Sequence, residues 1–394
     1  MTYDVVVVGG GPSGATVAHE LASAGRSVLL LDRAGRVKPC GGAVPPRLLK
    51  DFAIPDHLVV AKVKSARMIS PTHREVDMPV GEGFVGMVDR GEFDEWLRER
   101  AAEAGAERRK GVFLTVDRDP DGCAVVRFRA ERAGAEESVR ARLVIGADGA
   151  NSAVAKQCVP ASAMRKSVFA YHEVIEAPLQ DTAGYAARRA DVIYEGDLSP
   201  DFYAWVFPHG QQASIGVGSA DKGFALREAV AKLRVRTGLD GCKTIRHEGA
   251  PIPLKPLKRW DNGRDVLLVG DAAGVVAPAS GEGIYYAMAC GRMGAETATA
   301  FLETGRAAAL KGARRAFMRE HGRVFWVLGM MQYFWYSSDK RRERFVSICA
   351  DKDVQELTWQ AYMHKKLVRR KPVAHLRIFV KDLAHLLGLR PVAQ

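Results

Sequence analysis

The 394-residue sequence lacks the marks of a cross-linked, membrane-spanning or metal-built protein. Its six cysteines (Cys40, Cys123, Cys158, Cys242, Cys290 and Cys349) are scattered and form no CxxC pair. That suggests neither a disulfide framework nor a zinc site, and suits a reducing cytosol. No apolar run reaches the roughly 18 residues that would span a bilayer. The longest candidate, residues 325–336, is about 12 residues long and contains Gln332. The histidines show no metal-ligand spacing, so no metal site is expected. No GxSxG or other nucleophile motif occurs. There is no internal repeat and no low-complexity linker. A strand pattern begins within three residues of Met1, leaving no room for a signal peptide.

What is present is an ordinary globular composition, 47% hydrophobic and 26% charged, at a length suited to two or three interlocked domains. The charge is uneven. Residues 1–304 carry 39 Lys+Arg and 39 Asp+Glu, while residues 305–394 carry 19 and 7, so the whole net charge of +12 lies in the last quarter. A basic segment on a neutral body points to an anionic partner. No nucleic-acid motif accompanies it, so no nucleic acid is expected. The same stretch holds Phe325, Trp326, Tyr333, Phe334, Trp335 and Tyr336. Aromatic and basic residues together suit the anionic face of a membrane better than nucleic acid, with a solvated helical face as the alternative.

Residues 4–8 form a short apolar run before glycine, the pattern of a buried parallel strand. Residues 13–24 read as a helix closed by Gly25, and 27–31 as a second buried strand ending in Asp32. This is one βαβ unit. Residues 63–78 alternate like an antiparallel strand, and 92–104 form a helix stopped by Gly105. Segments 112–117 and 124–131 pair across an Asp121-Gly122 turn, and 143–147 is a further buried strand. Strand-like segments at 168–176, 191–195, 204–207 and 213–217 suggest an antiparallel sheet domain. Residues 265–269 return to the buried parallel style, and 283–301 form a long helix. The expected domains are a discontinuous nucleotide-binding fold (1–62, 89–160, 256–304), an inserted sheet domain (63–88, 161–255) and a helical C-terminal region (305–394).

Chemistry enters at Gly9-x-Gly11-x-x-Gly14, which leaves a strand and opens a helix. The first glycine permits the turn, the second lets backbone approach a pyrophosphate, and the third lets helix and strand pack closely. Helix amides and the helix dipole then hold the phosphates. Asp32, 18 residues past Gly14, can accept ribose hydroxyls, favouring FAD or NAD over a 2′-phosphorylated dinucleotide. No second GxGxxG occurs; Gly41-Gly42, Gly81-x-Gly83 and Gly216-x-Gly218 lack its spacing.

Three further segments resemble flavoproteins of the para-hydroxybenzoate-hydroxylase type. They are Arg90-x-x-Phe93-Asp94-x-x-Leu97, the "DG" run from Val144 through Asp148-Gly149 to Ser152, and the "GD" run Val269-Gly270-Asp271-Ala272-Ala273-Gly274. Where that class has an arginine four residues past the serine, this chain has Lys156. Lys38-Pro39-Cys40-Gly41-Gly42-Ala43 and Tyr203-x-Trp205-x-Phe207-Pro208 narrow the resemblance to the geranylgeranyl reductase family. The run from Pro39 to Pro46, Met68-Ile69-Ser70-Pro71, the run Gly281-Glu282-Gly283-Ile284-Tyr285-Tyr286-Ala287-Met288 and the aromatic, basic C-terminal region resemble its (bacterio)chlorophyll branch.

That resemblance implies an α/β fold: a Rossmann-type, glutathione-reductase-like FAD-binding domain, an inserted antiparallel-sheet substrate domain and a helical C-terminal region. It implies FAD held by Gly9, Gly11, Ser13, Gly14, Asp32, Arg33, Cys40, Gly41, Gly42, Arg90, Asp148, Asp271, Gly281, Gly283 and Ile284. It implies an isoprenoid chain lined by Tyr203, Trp205 and Phe207, with NADPH as a transient donor. The expected reaction adds hydride to one carbon of an isolated double bond and a proton to the other, converting geranylgeranyl to phytyl on a diphosphate or on a bacteriochlorophyll. Cys40, Tyr203 and Tyr285 are candidate proton sources. Cys40 also reads as a small buried hydrophobe, and the three aromatics as sheet core. The rival reaction is an aromatic or polyprenyl monooxygenation on the same fold; a non-catalytic pigment carrier is a third reading. The expected location is cytoplasmic and peripheral, on the cytoplasmic face of a photosynthetic membrane, with other pigment-biosynthesis enzymes as neighbours.

Overall fold

The computed structural model describes residues 2–33, 38, 40–130, 134–159 and 167–365. In chain order it begins with β1 (Thr2–Val8), α1 (Pro12–Ser23), β2 (Val28–Asp32), β3 (Ala43–Val44) and α2 (Pro46–Asp51). Then come β4 (Ala61–Val63), β5 (Ser65–Ile69), β6 (Glu75–Pro79), β7 (Val85–Met87) and α3 (Arg90–Glu103). Next are β8 (Glu107–Lys110), β9 (Val112–Arg118), β10 (Ala124–Arg129), β11 (Glu136–Gly146) and α4 (Ala153–Cys158). The middle holds β12 (Ser167–Glu176), β13 (Arg189–Ile193), β14 (Ala204–His209), β15 (Gln212–Ser219), α5 (Leu226–Thr237) and β16 (Thr244–Pro253). The chain finishes with β17 (Val266–Leu268), α6 (Ile284–Thr304), α7 (Gly312–Trp335), α8 (Asp339–Ile348) and α9 (Lys352–His364).

Two compact units emerge. The first comprises the described residues up to Lys38, the described residues of 90–167, and Pro251–Phe325. Its sheet runs β8-β2-β1-β11-β10-β9, with β17 also paired to β11. Val5, Val6 and Val7 are fully buried because β1 lies between β2 and β11, parallel to both, with α1 packed against it. The antiparallel β9, β10 and β11 extend the sheet on one side.

The second unit comprises residues 40–89, 168–250 and the described residues from Trp326 onward. Its main sheet runs β16-β12-β15-β14-β13-β5-β6. One face carries Ile175, Ala204, Val206, Ala213, Ile215 and Val217, which form a core with Ala229, Val230 and Leu233 of α5. A small sheet, β3-β7-β4, completes the unit.

The sheet domain departs from expectation in three ways. The first division falls at residue 38, not 62, because β3 and β4 both pair with β7 and so draw residues 43–63 into the second unit. The sheet is not wholly antiparallel: β13 runs parallel to β5. The segment after residue 305 is helical as expected, but it forms no third unit. α7 gives its first half to the first unit and its second half to the second, where α8 and α9 also belong.

Candidate functional site

The glycines at the end of β1 are fixed by close approaches. Gly9 takes φ +105°, and a side-chain carbon on it would stand 2.5 Å from the Ala147 carbonyl oxygen. One on Gly14 would stand 1.9 Å from the Gly9 carbonyl oxygen, so α1 starts hard against the turn. Gly11 is different: the direction its missing side chain would take is open for 4 Å. No side chain caps α1, so its first-turn amides point outward with the positive end of the helix dipole. An open approach before uncapped amides is the cradle a pyrophosphate needs.

Asp32 closes one side of this cradle. Its carboxylate meets the guanidinium of Arg98 at 3.3 Å, and Arg98 also donates to the Gly10 carbonyl at 3.2 Å. Arg98 was not among the expected site residues. Its only signal is its place on α3, two turns past Arg90. Arg33 is exposed, and its backbone amide donates to Asp32 at 2.7 Å.

The later motifs gather around the same turn. Gly270 takes φ +62° and lies against the Ser13 side chain. Asp271 follows in a short 3-10 turn and pairs with Lys38. A side-chain carbon on Gly283, the N-cap of α6, would stand 3.8 Å from Asp271 Oδ1, so the buried Ile284 starts α6 beside that carboxylate. Gly281 sits just ahead at φ +64°. Ser13, Asp271, Gly283 and Ile284 thus join the Gly9–Gly14 turn within the first unit.

Two expected ligands have other engagements. The Asp148 carboxylate accepts from the amides of Ala153 and Val154 at 2.6 and 3.2 Å and from the Ser152 hydroxyl at 2.5 Å. It caps the start of α4, and burial holds its carboxyl above the usual range despite those bonds. Its backbone, at Gly9, is what meets the turn. Arg90 makes a buried bidentate pair with Asp94 at 2.8 and 2.7 Å, one helical turn along α3. Tyr285 is buried beside Tyr286 and His321, with ring centroids at 5.4 and 6.1 Å, inside the packing of α6 on α7.

In the second unit, β14 places Tyr203, Trp205, Phe207 and His209 on the sheet face opposite α5, because alternate residues point to opposite faces. The aromatic row is therefore not part of the α5 core. Ring centroids step 6.0 Å from Tyr203 to Trp205 and 6.2 Å from Trp205 to Phe207. Gly41 lies on Phe207: a side-chain carbon there would stand 2.9 Å from Cδ2. A side-chain carbon on Gly42 would stand 2.5 Å from His209 Nε2, and the Gly42 amide donates to Cys40 Sγ at 3.4 Å. Cys40, Gly41 and Gly42 are thus joined to the aromatic row. Burial lowers the His209 pKa to about 4, so its imidazole is neutral at physiological pH.

The C-terminal aromatics divide. Phe325, Trp335 and Tyr336 are buried, whereas Trp326, Met330 and Tyr333 are exposed at 65%, 47% and 84% on successive turns of α7. The expected basic surface is smaller than its sequence suggests. Arg342 is buried, bonded to Asp339 and to the carbonyls of Pro200 and Tyr336, and Lys365 is buried over the Tyr362 ring. Lys340 is exposed and Arg341 stacks on Phe334 at 4.4 Å. Lys366, Arg369, Arg370 and Lys371, like Pro39, lie outside the described residues. Among the described residues, no helix is long and apolar enough to cross a membrane.

The FAD binding domain family matches residues 2–292. A geranylgeranyl diphosphate reductase of Rhodobacter capsulatus is 59% identical over 391 residues, covering 99% of both chains. The chloroplastic geranylgeranyl diphosphate reductase of rice, Oryza sativa, is 36% identical, covering 97% of this chain and 86% of its own. Among solved structures, a geranylgeranyl bacteriochlorophyll reductase-like protein of Thermoplasma acidophilum superposes with a TM-score of 0.78 at 22% identity, over 95% of this chain and 99% of its own. The p-nitrophenol 4-monooxygenase of Pseudomonas putida superposes with a TM-score of 0.69 at 19% identity, over 94% and 99%. Both structural likenesses concern the fold.

Proposed function

The chain belongs to the geranylgeranyl reductase family of FAD-binding-domain flavoproteins, and we propose that it hydrogenates isolated double bonds of a geranylgeranyl chain to give phytyl. Its cofactor is FAD. When bound and reduced, FAD supplies the hydride.

The protein's own part divides between the two units. In the first, the Gly9–Gly14 turn and the amides of α1 hold the pyrophosphate, Asp32 and Arg98 border the ribose side, and Asp271 lies at the start of α6. In the second, Tyr203, Trp205 and Phe207 offer a flexible polyene a dry surface, where burial of apolar area supplies the binding energy. The observation that carries this reading is the aromatic row on the face away from the α5 core, with Gly41 set against Phe207. An unactivated alkene is a poor hydride acceptor, so an acid must stand by the second carbon. Cys40 and Tyr203 are the proposed proton sources: Tyr203 belongs to the row, and Cys40 adjoins Gly41, which lies against Phe207.

NADPH is the proposed donor, docking transiently because the sequence holds no second dinucleotide motif. The proposed substrates are geranylgeranyl diphosphate and the geranylgeranyl ester of a bacteriochlorophyll. A twenty-carbon tail partitions into lipid, which supports a peripheral site of action on a membrane's cytoplasmic face. The exposed Trp326, Met330 and Tyr333 and the nearby Lys340 support that placement.

Mass spectrometry tests the reaction. Purified, FAD-loaded protein incubated without oxygen with NADPH and geranylgeranyl substrate should yield products gaining two hydrogens per double bond, with partly reduced intermediates. Turnover that stops without oxygen, or products that gain an oxygen atom, would replace this reading with the monooxygenase one.

A further inference from the structure

Beneath the aromatic row lies a hydrogen-bonded chain that crosses four adjacent strands. Trp205 on β14 donates its indole Nε1–H to the Ser214 hydroxyl on β15 at 3.1 Å. Ser214 Oγ meets His172 Nδ1 on β12 at 2.9 Å, and His172 Nε2 meets the Glu248 carboxylate on β16 at 3.1 Å. Glu248 pairs in turn with Arg246 at 3.2 Å, and Arg246 with Asp89 at 3.1 Å. The strand order β16-β12-β15-β14 places these residues in sequence across one face. Trp205, His172 and Ser214 are 6%, 3% and 2% exposed, so water does not compete for these bonds.

The two ends of the chain have a fixed direction. A carboxylate only accepts, so His172 Nε2 donates to Glu248; an indole N–H only donates, so Ser214 Oγ accepts from Trp205, and the bond between Ser214 Oγ and His172 Nδ1 joins the two. Each group is then satisfied once. The Ser–His–Glu order resembles a nucleophilic triad, but Ser214 is 2% exposed and bonded beneath the indole, so no substrate atom reaches its oxygen. Nor can the chain deliver a proton to a substrate, because an indole N–H accepts none. What it can do is orient. Trp205 lies over Gly216, which pairs with both Trp205 and His172 across the sheet, and the bond to Ser214 selects one ring orientation over that flat ground.

We propose that Ser214, His172 and Glu248 are positioning residues for the reduction, holding the Trp205 indole in the orientation that lines the polyene. This rests on the proposal that Trp205 lines the substrate. Removing the Ser214 hydroxyl leaves a buried indole N–H without its acceptor and frees the ring to turn.

The test uses full-length, FAD-loaded protein labelled with 15N-tryptophan. The Trp205 indole resonance is assigned by its loss in Trp205→Phe. Ser214→Ala and His172→Phe should shift or broaden it and raise KM for geranylgeranyl diphosphate about tenfold, the usual size of one lost buried hydrogen bond. Ser214→Thr and Glu248→Gln keep the hydroxyl and the acceptor, and should return both readouts toward wild type. An indole resonance unmoved in folded Ser214→Ala protein overturns the inference alone. An unchanged KM in Trp205→Phe removes the aromatic row from the substrate site, and this inference with it.

Discussion

Gly216 lies directly under the indole of Trp205: a side-chain carbon built on it would stand 2.4 Å from Trp205 Cζ2, and also 2.6 Å from the His172 Cβ. Gly216→Ala should therefore displace the indole. The expected cost is about 1–3 kcal/mol of stability, typical of an overpacked interior. Urea unfolding reads the stability, and steady-state kinetics should show KM for the prenyl substrate rising more than kcat falls.

The cradle glycines should separate folding from cofactor binding. Gly11 faces open space, so Gly11→Leu should leave the apoprotein's unfolding midpoint close to wild type while FAD affinity falls by at least about tenfold, since the side chain fills the phosphate's approach. Gly14→Ala meets backbone at 1.9 Å and should lose both. Fluorescence titration with FAD and thermal unfolding of the apoprotein check the pair. Equal loss of stability in the two variants would refute the assigned roles.

His209 makes stability pH-dependent. Its folded pKa is lowered from 6.5 to about 4 by burial, so between those values the unfolded chain binds a proton that the folded chain refuses. Stability from this group is present above pH 6.5, declines as pH falls and is gone below about 4. The loss should be on the order of 2 kcal/mol, after allowing for the partial exposure of the ring. His209→Asn should flatten this part of a stability-versus-pH curve measured by denaturant unfolding.

Thiol reactivity should follow burial. Cys290 is fully buried, its thiol accepts from the Gly270 amide at 3.4 Å, and burial pushes its pKa up to about 12. Cys349 is also buried. An aromatic disulfide reagent should therefore titrate no more than four of the six thiols in the folded protein, and all six in guanidinium. Rapid reaction of Cys290 in Cys349→Ser protein would show that α6 opens readily.

Membrane attachment, if it uses the exposed face of α7, depends on Trp326, Met330 and Tyr333. Trp326→Ser with Tyr333→Ser should lower co-sedimentation with anionic vesicles several-fold and leave FAD content unchanged. Undiminished sedimentation of the double variant would assign attachment to another surface.

The sequence alone determined the glycine turn between β1 and α1. Gly9, Gly11, Gly14 and Asp32 act over one βαβ unit, where spacing along the chain translates directly into position. It also determined β12, β13, β14 and β15 of the sheet domain and the helices after residue 305, because hydrophobic periodicity is a local property, but it missed β16 and merged β5 with β6. Only the tertiary structure decided which face of β14 is core, that Arg98 stands against Asp32, that the Asp148 carboxylate caps α4, and that Arg342 and Lys365 are buried. The Trp205–Ser214–His172–Glu248 chain belongs with these, since its four residues span positions 172 to 248 and meet only through strand order. The physical reason is common to all of them. Burial and hydrogen-bond partnership are set by neighbours in space, and the pairing of distant strands that supplies those neighbours leaves no periodic trace in the chain.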